Sequence, residues 1–430
     1  MKIVIVGVGY VGIHLISIFQ QKYKVIGYDC DYDYDKINSL NKGVDRSGEM
    51  SLDNLISMKN VFFTCDVNDI SKADVYIVSV PTPISAGNEP EMTALFNAME
   101  TIGKVLQYGN AVIIESTIYP GVTEKICVPI LKRFSGLSIE DFYVGFSPER
   151  INPGDKEHMP EKCEKIVSGI DEKSQKFIYD LYNSVWDAPI YKASSIRVAE
   201  GAKLLENIQR DVNIALINEV NLLFRKIGID IYDVIDAASG KWNFMPFFPG
   251  LVGGHCIGVD PYYLIDLAKK EKMDLSIIEC ARTVNEQVPN IIANELLGLF
   301  KPCPVNMKVG VLGITFKENC SDIRNSKVVK IVNDLVNVGC EVRVSDPIAN
   351  PDCVNKEYGI MLTDWKEWKE VNMLILAVSH DEFDSKMLSQ IVETMTEYGG
   401  DRPVLADIKG IVKPDLITKL NEVNIRYWRY

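Results

Sequence analysis

The first dozen residues constrain this chain most. Lys2–Val6 is an unbroken apolar run, as expected of a strand buried on both faces of a parallel sheet. Gly7, Gly9 and Gly12 follow in G-x-G-x-x-G spacing, and apolar residues then recur at helical intervals (Val11, Leu15, Ile18, Phe19) up to Gln20. A second apolar run, Val25–Tyr28, ends in Asp29. A strand, a glycine turn, a helix and an acid-terminated strand make a dinucleotide-binding unit. The glycines permit a tight turn, close approach of backbone to pyrophosphate and tight helix–strand packing, and the acid meets the ribose hydroxyls. Asp29, Asp31, Asp33 and Asp35 would repel a 2′-phosphate, which favours NAD over NADP.

Tyr32 and Lys36 form a Y-x-x-x-K pattern of the kind that short-chain reductases use for proton transfer. They fall just past the ribose acid, where adenosine would sit, and are not read as a catalytic pair. The strand–helix alternation continues beyond them. Val75–Val80 is a strand running into Pro81-Thr82-Pro83, and Met92–Leu106 is a helix. Ala111–Glu115 is a strand ending in Ser116-Thr117, and Gly121–Arg133 is a helix. Phe142–Phe146 is a strand followed by SPERINPGD, with Glu149 and Arg150 at its carboxyl end. Ligands of open α/β sheets bind at such ends. The alternatives are ordinary turn chemistry and, for Glu149 with Arg150, a solvated ion pair.

From Ser195 to Ile227 there is no proline, and the spacing predicts one helix of about 30 residues, longer than most globular helices. Its apolar set is Val198, Ala202, Leu205, Ile208, Val212, Ala215, Val220 and Leu223. Lys203, Asn207, Arg210 and Asp211 share another face, either solvated or turned to a polyanionic substrate. After a short helix, Ile231–Ala238, an aromatic cluster (Trp242, Phe244, Phe247, Phe248) is either core or the wall of a sugar pocket. Next comes PGLVGGHCIGVDPYY, with Gly250, Gly253, Gly254, His255, Cys256 and Asp260. A cysteine is most often a buried, inert thiol, and Cys256 is either that or a nucleophile. Helices at Pro261–Lys270 and Leu275–Phe300 close this region.

The last third repeats the α/β pattern without dinucleotide spacing. Val309–Leu312, Glu341–Ser345, Met373–Val378 and Pro403–Ala406 are strands, and Ser326–Val338 is a helix. Lys317 and Arg324, at the turn between the first strand and that helix, are candidate phosphate contacts. A purely structural or regulatory domain is the alternative. The net charge of −13 argues against nucleic acid as a partner. The ten cysteines and four histidines show no metal-type spacing, so no metal is expected. No signal peptide and no apolar run of about 18 residues is seen, which predicts a reduced, cytoplasmic protein without a membrane span.

Seven motifs in order, VGVGYVG, VPTP, ESTIYPG, SPERINPG, Lys203 with Asn207, GGHCIGVDP and FKENCSDIRNS, make the whole chain resemble the nucleotide-sugar 6-dehydrogenases, the UDP-glucose dehydrogenase superfamily. The resemblance implies an α/β fold of two Rossmann-like parallel-sheet domains joined by a long central helix and a small helical middle domain. The expected limits are 1–194 for NAD binding, 195–302 for dimerisation and the catalytic loop, and 303–430 for UDP binding. It implies a homodimer and a four-electron oxidation of the sugar C6 alcohol to a carboxylate with two NAD. Such an enzyme would serve polysaccharide biosynthesis. Cys256 would add to the intermediate aldehyde, because a second hydride cannot leave that carbon until a nucleophile adds. Lys203 and Asn207 would stabilise the oxyanion, Asp260 with Thr117 would position a water, and Glu149 would act as general base in thioester hydrolysis. Gly7, Gly9, Tyr10, Val11, Gly12, Asp29, Pro81, Thr82, Ser116, Thr117 and Arg324 would contact NAD. Glu149, Arg150, Lys203, Asn207, Arg210, Gly250, Gly253, His255 and Lys317 would contact the sugar nucleotide. His255 would either depress the thiol pKa or bind substrate.

GFSPERINPGD, ENIQRDVNIA and GGHCIGVDPYYL resemble the branch that oxidises UDP-N-acetylhexosamines. UDP-N-acetylglucosamine is the first expectation, the galactosamine epimer the second and the mannosamine form the third, since position 258 is Gly where many mannosamine-type enzymes carry Pro. UDP-glucose is a further alternative. Two rivals stand outside this reading: a two-electron hydroxyacid-type dehydrogenase, and a non-catalytic sugar-nucleotide-binding protein.

Overall fold

The computed structural model describes residues 1–30, 34–45, 55, 58–150, 160–300, 307–398 and 402–430. They form two compact units, Met1–Asn207 with Tyr262–Asp274, and Ile208–Pro261 with Leu275–Tyr430.

In the first unit, eight strands form one sheet: β1 (Lys2–Val6), β2 (Lys24–Tyr28), β3 (Val61–Thr64), β4 (Val75–Val78), β5 (Ala111–Ile114), β6 (Tyr143–Phe146), β7 (Lys165–Gly169) and β8 (Ile190–Lys192). Their spatial order is β3-β2-β1-β4-β5-β6-β7-β8. All neighbours are parallel except β6 and β7. β1 is central, with Ile3 opposite Val25 on one side and Val75 on the other. The strand order reverses between β1 and β4, and the glycine loop leaves β1 at this switch point, where α/β sheets bind ligands. Ile3, Ile5, Ile77 and Ile113 are fully buried, each contributing about 1.5–3 kcal/mol of apolar burial.

The second unit carries five parallel strands, β9 (Lys308–Leu312), β10 (Glu341–Ser345), β11 (Met373–Leu376), β12 (Val404–Asp407) and β13 (Arg426–Arg429), in the order β10-β9-β11-β12-β13. The fold class is therefore the expected one, with two Rossmann-like parallel sheets.

The long helix runs Ile196–Lys226, and shorter ones follow at Ile231–Ser239, Asp260–Lys270 and Ser276–Gly298. Val198, Leu205 and Leu223 are exposed and, with Leu216, lie on one stripe of the long helix. Trp242 and Phe248 are also exposed, and Phe248 stacks on Tyr232 with ring centroids 5.9 Å apart. The helix expected to run unbroken over Gly121–Arg133 opens instead with a π-turn, Thr123–Cys127, before the α-helix Val128–Ser135.

Candidate active site

The glycine loop fits a dinucleotide position by position. Gly7 has φ +93°, and a Cβ there would lie 2.9 Å from the backbone of Ser79 and Val80. A Cβ on Gly12 would lie 2.0 Å from the Gly7 carbonyl oxygen. These two glycines serve the turn and the packing. A Cβ on Gly9 would meet nothing within 4 Å, leaving the open backbone that pyrophosphate approach requires. Tyr10 and Val11 begin the following helix, whose first amides point to that opening.

Asp29 is buried at the end of β2, where its Oδ2 accepts from the Val8 amide at 3.0 Å and from Lys36 Nζ at 2.5 Å. Lys36 is thus committed to the ribose acid. Tyr32, Asp31 and Asp33 lie outside the described residues. At the neighbouring strand ends, Thr82 Oγ1 donates to the Thr117 carbonyl at 2.8 Å and Ser116 Oγ to the Val80 carbonyl at 2.7 Å. Pro81, Thr82, Ser116 and Thr117 form one cross-linked ledge at the carboxyl ends of β4 and β5. The Tyr263 hydroxyl donates to the Thr82 carbonyl at 2.8 Å, a tie no sequence motif announces.

Glu149 does not pair with Arg150. Lys203 Nζ donates to Glu149 Oε1 at 2.5 Å and to the Glu149 carbonyl at 3.0 Å, and both side chains are buried. Arg150 instead bridges the Glu206 carboxylate and the Glu164 carbonyl, the latter at 2.7 Å. Asn207 is half-buried one turn beyond Lys203 on the long helix. Glu200 precedes Lys203 by one turn and is fully buried. Its carboxylate accepts from the amides of Gly121 at 2.6 Å and Thr123 at 3.0 Å, directly after the Thr117 loop. Burial pushes its pKa up to about 7, against these amides, which favour the anion.

In the second unit, the Cys256 carbonyl accepts from the amides of Val259 at 3.0 Å and Asp260 at 2.8 Å. This turn leads straight into the helix that Asp260 begins, and Cys256 is half-buried four residues ahead of it. Asp260 is 2% exposed. Gly253 and Gly254 have no room for a side chain. A Cβ on Gly253 would lie 2.7 Å from the Asn325 carbonyl oxygen, and one on Gly254, where φ is +78°, would lie 2.6 Å from the Phe316 ring. They let this loop pack on the turn after β9. Gly250 is gripped by Asn218, which accepts from its amide at 2.8 Å and donates to its carbonyl at 3.0 Å.

His255 is exposed, with Nε2 3.3 Å from Asp322 Oδ2. Asp322 also clasps Arg324, accepting from Nε at 2.9 Å and from Nη2 at 2.7 Å. Burial pushes the Asp322 pKa up, but His255 and Arg324 outweigh it and hold this carboxyl well below the usual range. The Arg324 guanidinium in turn feels Cys256 and Cys320. Lys317 lines a cleft with Gly253, Glu318, Lys327 and Lys409, in which Lys327 is paired with Glu286 at 2.7 Å and Lys409 lies 3.8 Å from Glu318. Arg210 is exposed. Asp211, expected on the same polar face, is buried against Arg282 at 2.6 Å and Asn285 at 2.7 Å. Among the described residues, no cluster of three or more His, Cys, Asp or Glu side chains is placed to hold a metal ion, and no helix is long and apolar enough to cross a membrane.

Comparison with known proteins gives concordant results. Residues 1–186 match the NAD binding domain of the UDP-glucose/GDP-mannose dehydrogenase family, residues 197–287 its central domain and residues 310–414 its UDP binding domain. The chain is 43% identical to Protein CapL of Staphylococcus aureus, over 100% of this chain and 99% of that one. It is 43% identical to UDP-N-acetyl-D-glucosamine 6-dehydrogenase of Pseudomonas aeruginosa, over 96% and 98%. The solved UDP-D-ManNAc dehydrogenase of Pyrococcus horikoshii superposes with a TM-score of 0.85 at 32% identity, covering 96% of each chain.

Proposed function

The chain belongs to the UDP-glucose/GDP-mannose dehydrogenase family and is an NAD-dependent UDP-sugar 6-dehydrogenase; from that premise we propose that it oxidises the C6 alcohol of UDP-N-acetylglucosamine to the carboxylate through a covalent thioester on Cys256. The observation that carries the substrate assignment is the 43% identity, over nearly the whole chain, to an enzyme named for UDP-N-acetyl-D-glucosamine. The relative named for the mannosamine sugar stands at 32%.

NAD, when bound, accepts hydride from C6. The protein's own groups do the rest. Gly9 and the first amides of the Tyr10–Phe19 helix receive the pyrophosphate, and Asp29 holds the ribose. Lys317, in the cleft beside Gly253, binds the diphosphate of the sugar nucleotide. Asp260 and Thr117 hold a water that takes the C6 hydroxyl proton. The Cys256 thiolate adds to the aldehyde to give a thiohemiacetal, whose oxyanion Lys203 and Asn207 stabilise. Loss of a second hydride leaves a thioester, and Glu149 draws the proton from the water that hydrolyses it.

We assign a cytoplasmic homodimer to this enzyme. The support for the dimer is the exposed stripe of Val198, Leu205, Leu216 and Leu223 on the long helix, an apolar surface suited to a second copy. We place the functional divisions at 1–194 for NAD, 195–302 for the helical middle and 303–430 for UDP.

The test is NADH release with UDP-glucose and the three UDP-N-acetylhexosamines. Preference for UDP-N-acetylglucosamine is expected, and preference for UDP-glucose contradicts the assignment.

A further inference from the structure

Lys165 opens β7, in a position where a lysine would ordinarily reach water. Instead its side chain is 2% exposed and that of its partner Glu115 is 0% exposed. Its ammonium donates to Glu115 Oε2 at 2.7 Å and to the Pro148 carbonyl at 3.0 Å. The other Glu115 oxygen accepts from the Tyr182 hydroxyl. Burial, and then the charge of Glu115, push the Tyr182 pKa well above its ordinary value, so the hydroxyl stays a donor. The Lys165 ammonium also lies 5.2 Å from the ring centroids of both Tyr182 and Trp186.

Three features connect this pair to Glu149. The Pro148 carbonyl belongs to the peptide unit that leads into Glu149. Burial pushes the Lys165 pKa down, and the charges of Glu115 and then Glu149 act against that burial. Glu115, Lys165 and Glu149 line one cleft, together with Arg150 and Trp186. Glu115, Lys165, Glu149 and Lys203 thus form an array of alternating charge. An apolar pair of similar volume commonly equals or exceeds a buried ion pair in stability, so stability alone does not explain this one.

We propose that Lys165, held by Glu115 and Tyr182, is a positioning residue for Glu149: it pins the Pro148–Glu149 peptide, and its positive charge keeps the Glu149 carboxylate ionised. This rests on the role of Glu149 as base in thioester hydrolysis. Among the described residues, the charged groups around Glu149 include Lys203 from the long helix, Lys165 from β7 and Glu115 from the end of β5, with Glu164 lining the same cleft and the adjacent Arg150 engaged by Glu206. Removing the Lys165 charge while keeping its bulk therefore makes Glu149 easier to protonate.

The test uses the full-length protein with UDP-N-acetylglucosamine and NAD, following the NADH burst and the steady-state rate against pH. In Lys165→Met the acid limb of the steady-state rate moves up by about one pH unit. Below that limb a burst of two NADH per active site appears, as thioester accumulates. Lys165→Arg, which keeps the charge, restores the wild-type limb. If Lys165→Met does not fold, Lys165→Met with Glu115→Gln removes the pair together and retains an acceptor for Tyr182. That double variant is expected to fold and to show the same burst with a smaller upward displacement of the limb, because the Glu115 charge that opposes Lys165 is lost as well. A wild-type limb without a burst in the double variant, or in a folded Lys165→Met, would show that the pair only supports the fold and overturn the inference. Absence of NADH from the wild-type protein with every UDP-sugar would instead overturn the assigned function beneath it.

Discussion

Lys203 and Glu149 form a buried pair in which the lysine ammonium reaches both the carboxylate and the main-chain carbonyl of the same residue, at 2.5 and 3.0 Å. In the proposed reaction the same ammonium also donates to the substrate oxyanion, and a donor held in place before charge develops there needs little reorganisation. Lys203→Met is expected to lower kcat by about 10²–10³-fold, equivalent to roughly 2.7–4 kcal/mol. Steady-state kinetics measure the loss, and NAD titration by fluorescence should give an unchanged Kd because Lys203 is not part of the glycine loop.

Glu200 makes stability depend on pH. Its pKa is raised from 4.5 to about 7, chiefly by burial. Because the folded-state value lies above the unfolded one, its contribution is fully present below pH 4.5 and is lost as pH rises to about 7. The size of that loss is roughly 3 kcal/mol. Glu200→Gln resembles the protonated form, so its stability at pH 5 should be close to wild type, without the wild type's decline between pH 5 and 7. Urea unfolding at a series of pH values decides this; parallel declines in both proteins would contradict it.

Asp29 accepts from the Val8 amide inside the glycine loop and from Lys36. Asp29→Ala removes a charge-assisted acceptor worth about 1.5–3 kcal/mol. The KM for NAD is expected to rise about 10- to 100-fold, with the KM for the UDP-sugar within twofold of wild type, a ratio read directly from initial rates.

Arg324 carries its charge toward Cys256. Replacing it with Met should move the pH midpoint of Cys256 alkylation by iodoacetamide upward, and only modestly, because the guanidinium is exposed and screened. An unmoved midpoint would remove Arg324 from the environment of the thiol.

The parts of the molecule legible in the sequence are those governed by local rules. A buried strand, a glycine turn and an acid at fixed distance specify a nucleotide loop from one stretch of chain, and Gly7, Gly9 and Gly12 each have the expected surroundings. The long helix is equally local, since its apolar periodicity and lack of proline require no distant partner. What escaped detection depends on contacts between distant residues. Lys165 and Glu115 are 50 residues apart, and each alone resembles a surface group. Glu149 was read with its neighbour Arg150, yet its cation arrives from the long helix 54 residues on. The demand for glycine at positions 253 and 254 comes from Asn325 and Phe316, in a separate α/β segment. Asp322 gave no signal beyond its place in the FKENCSDIRNS motif, although it joins His255 to Arg324.

The central claim is that Cys256 carries the sugar through a covalent second oxidation, and the yield of NADH per UDP-N-acetylglucosamine consumed tests it most directly. Two NADH per sugar with wild-type protein, falling to one or fewer with Cys256→Ser, is the predicted result. One NADH per sugar in both proteins, at comparable rates, would contradict it and mark the enzyme as a two-electron dehydrogenase.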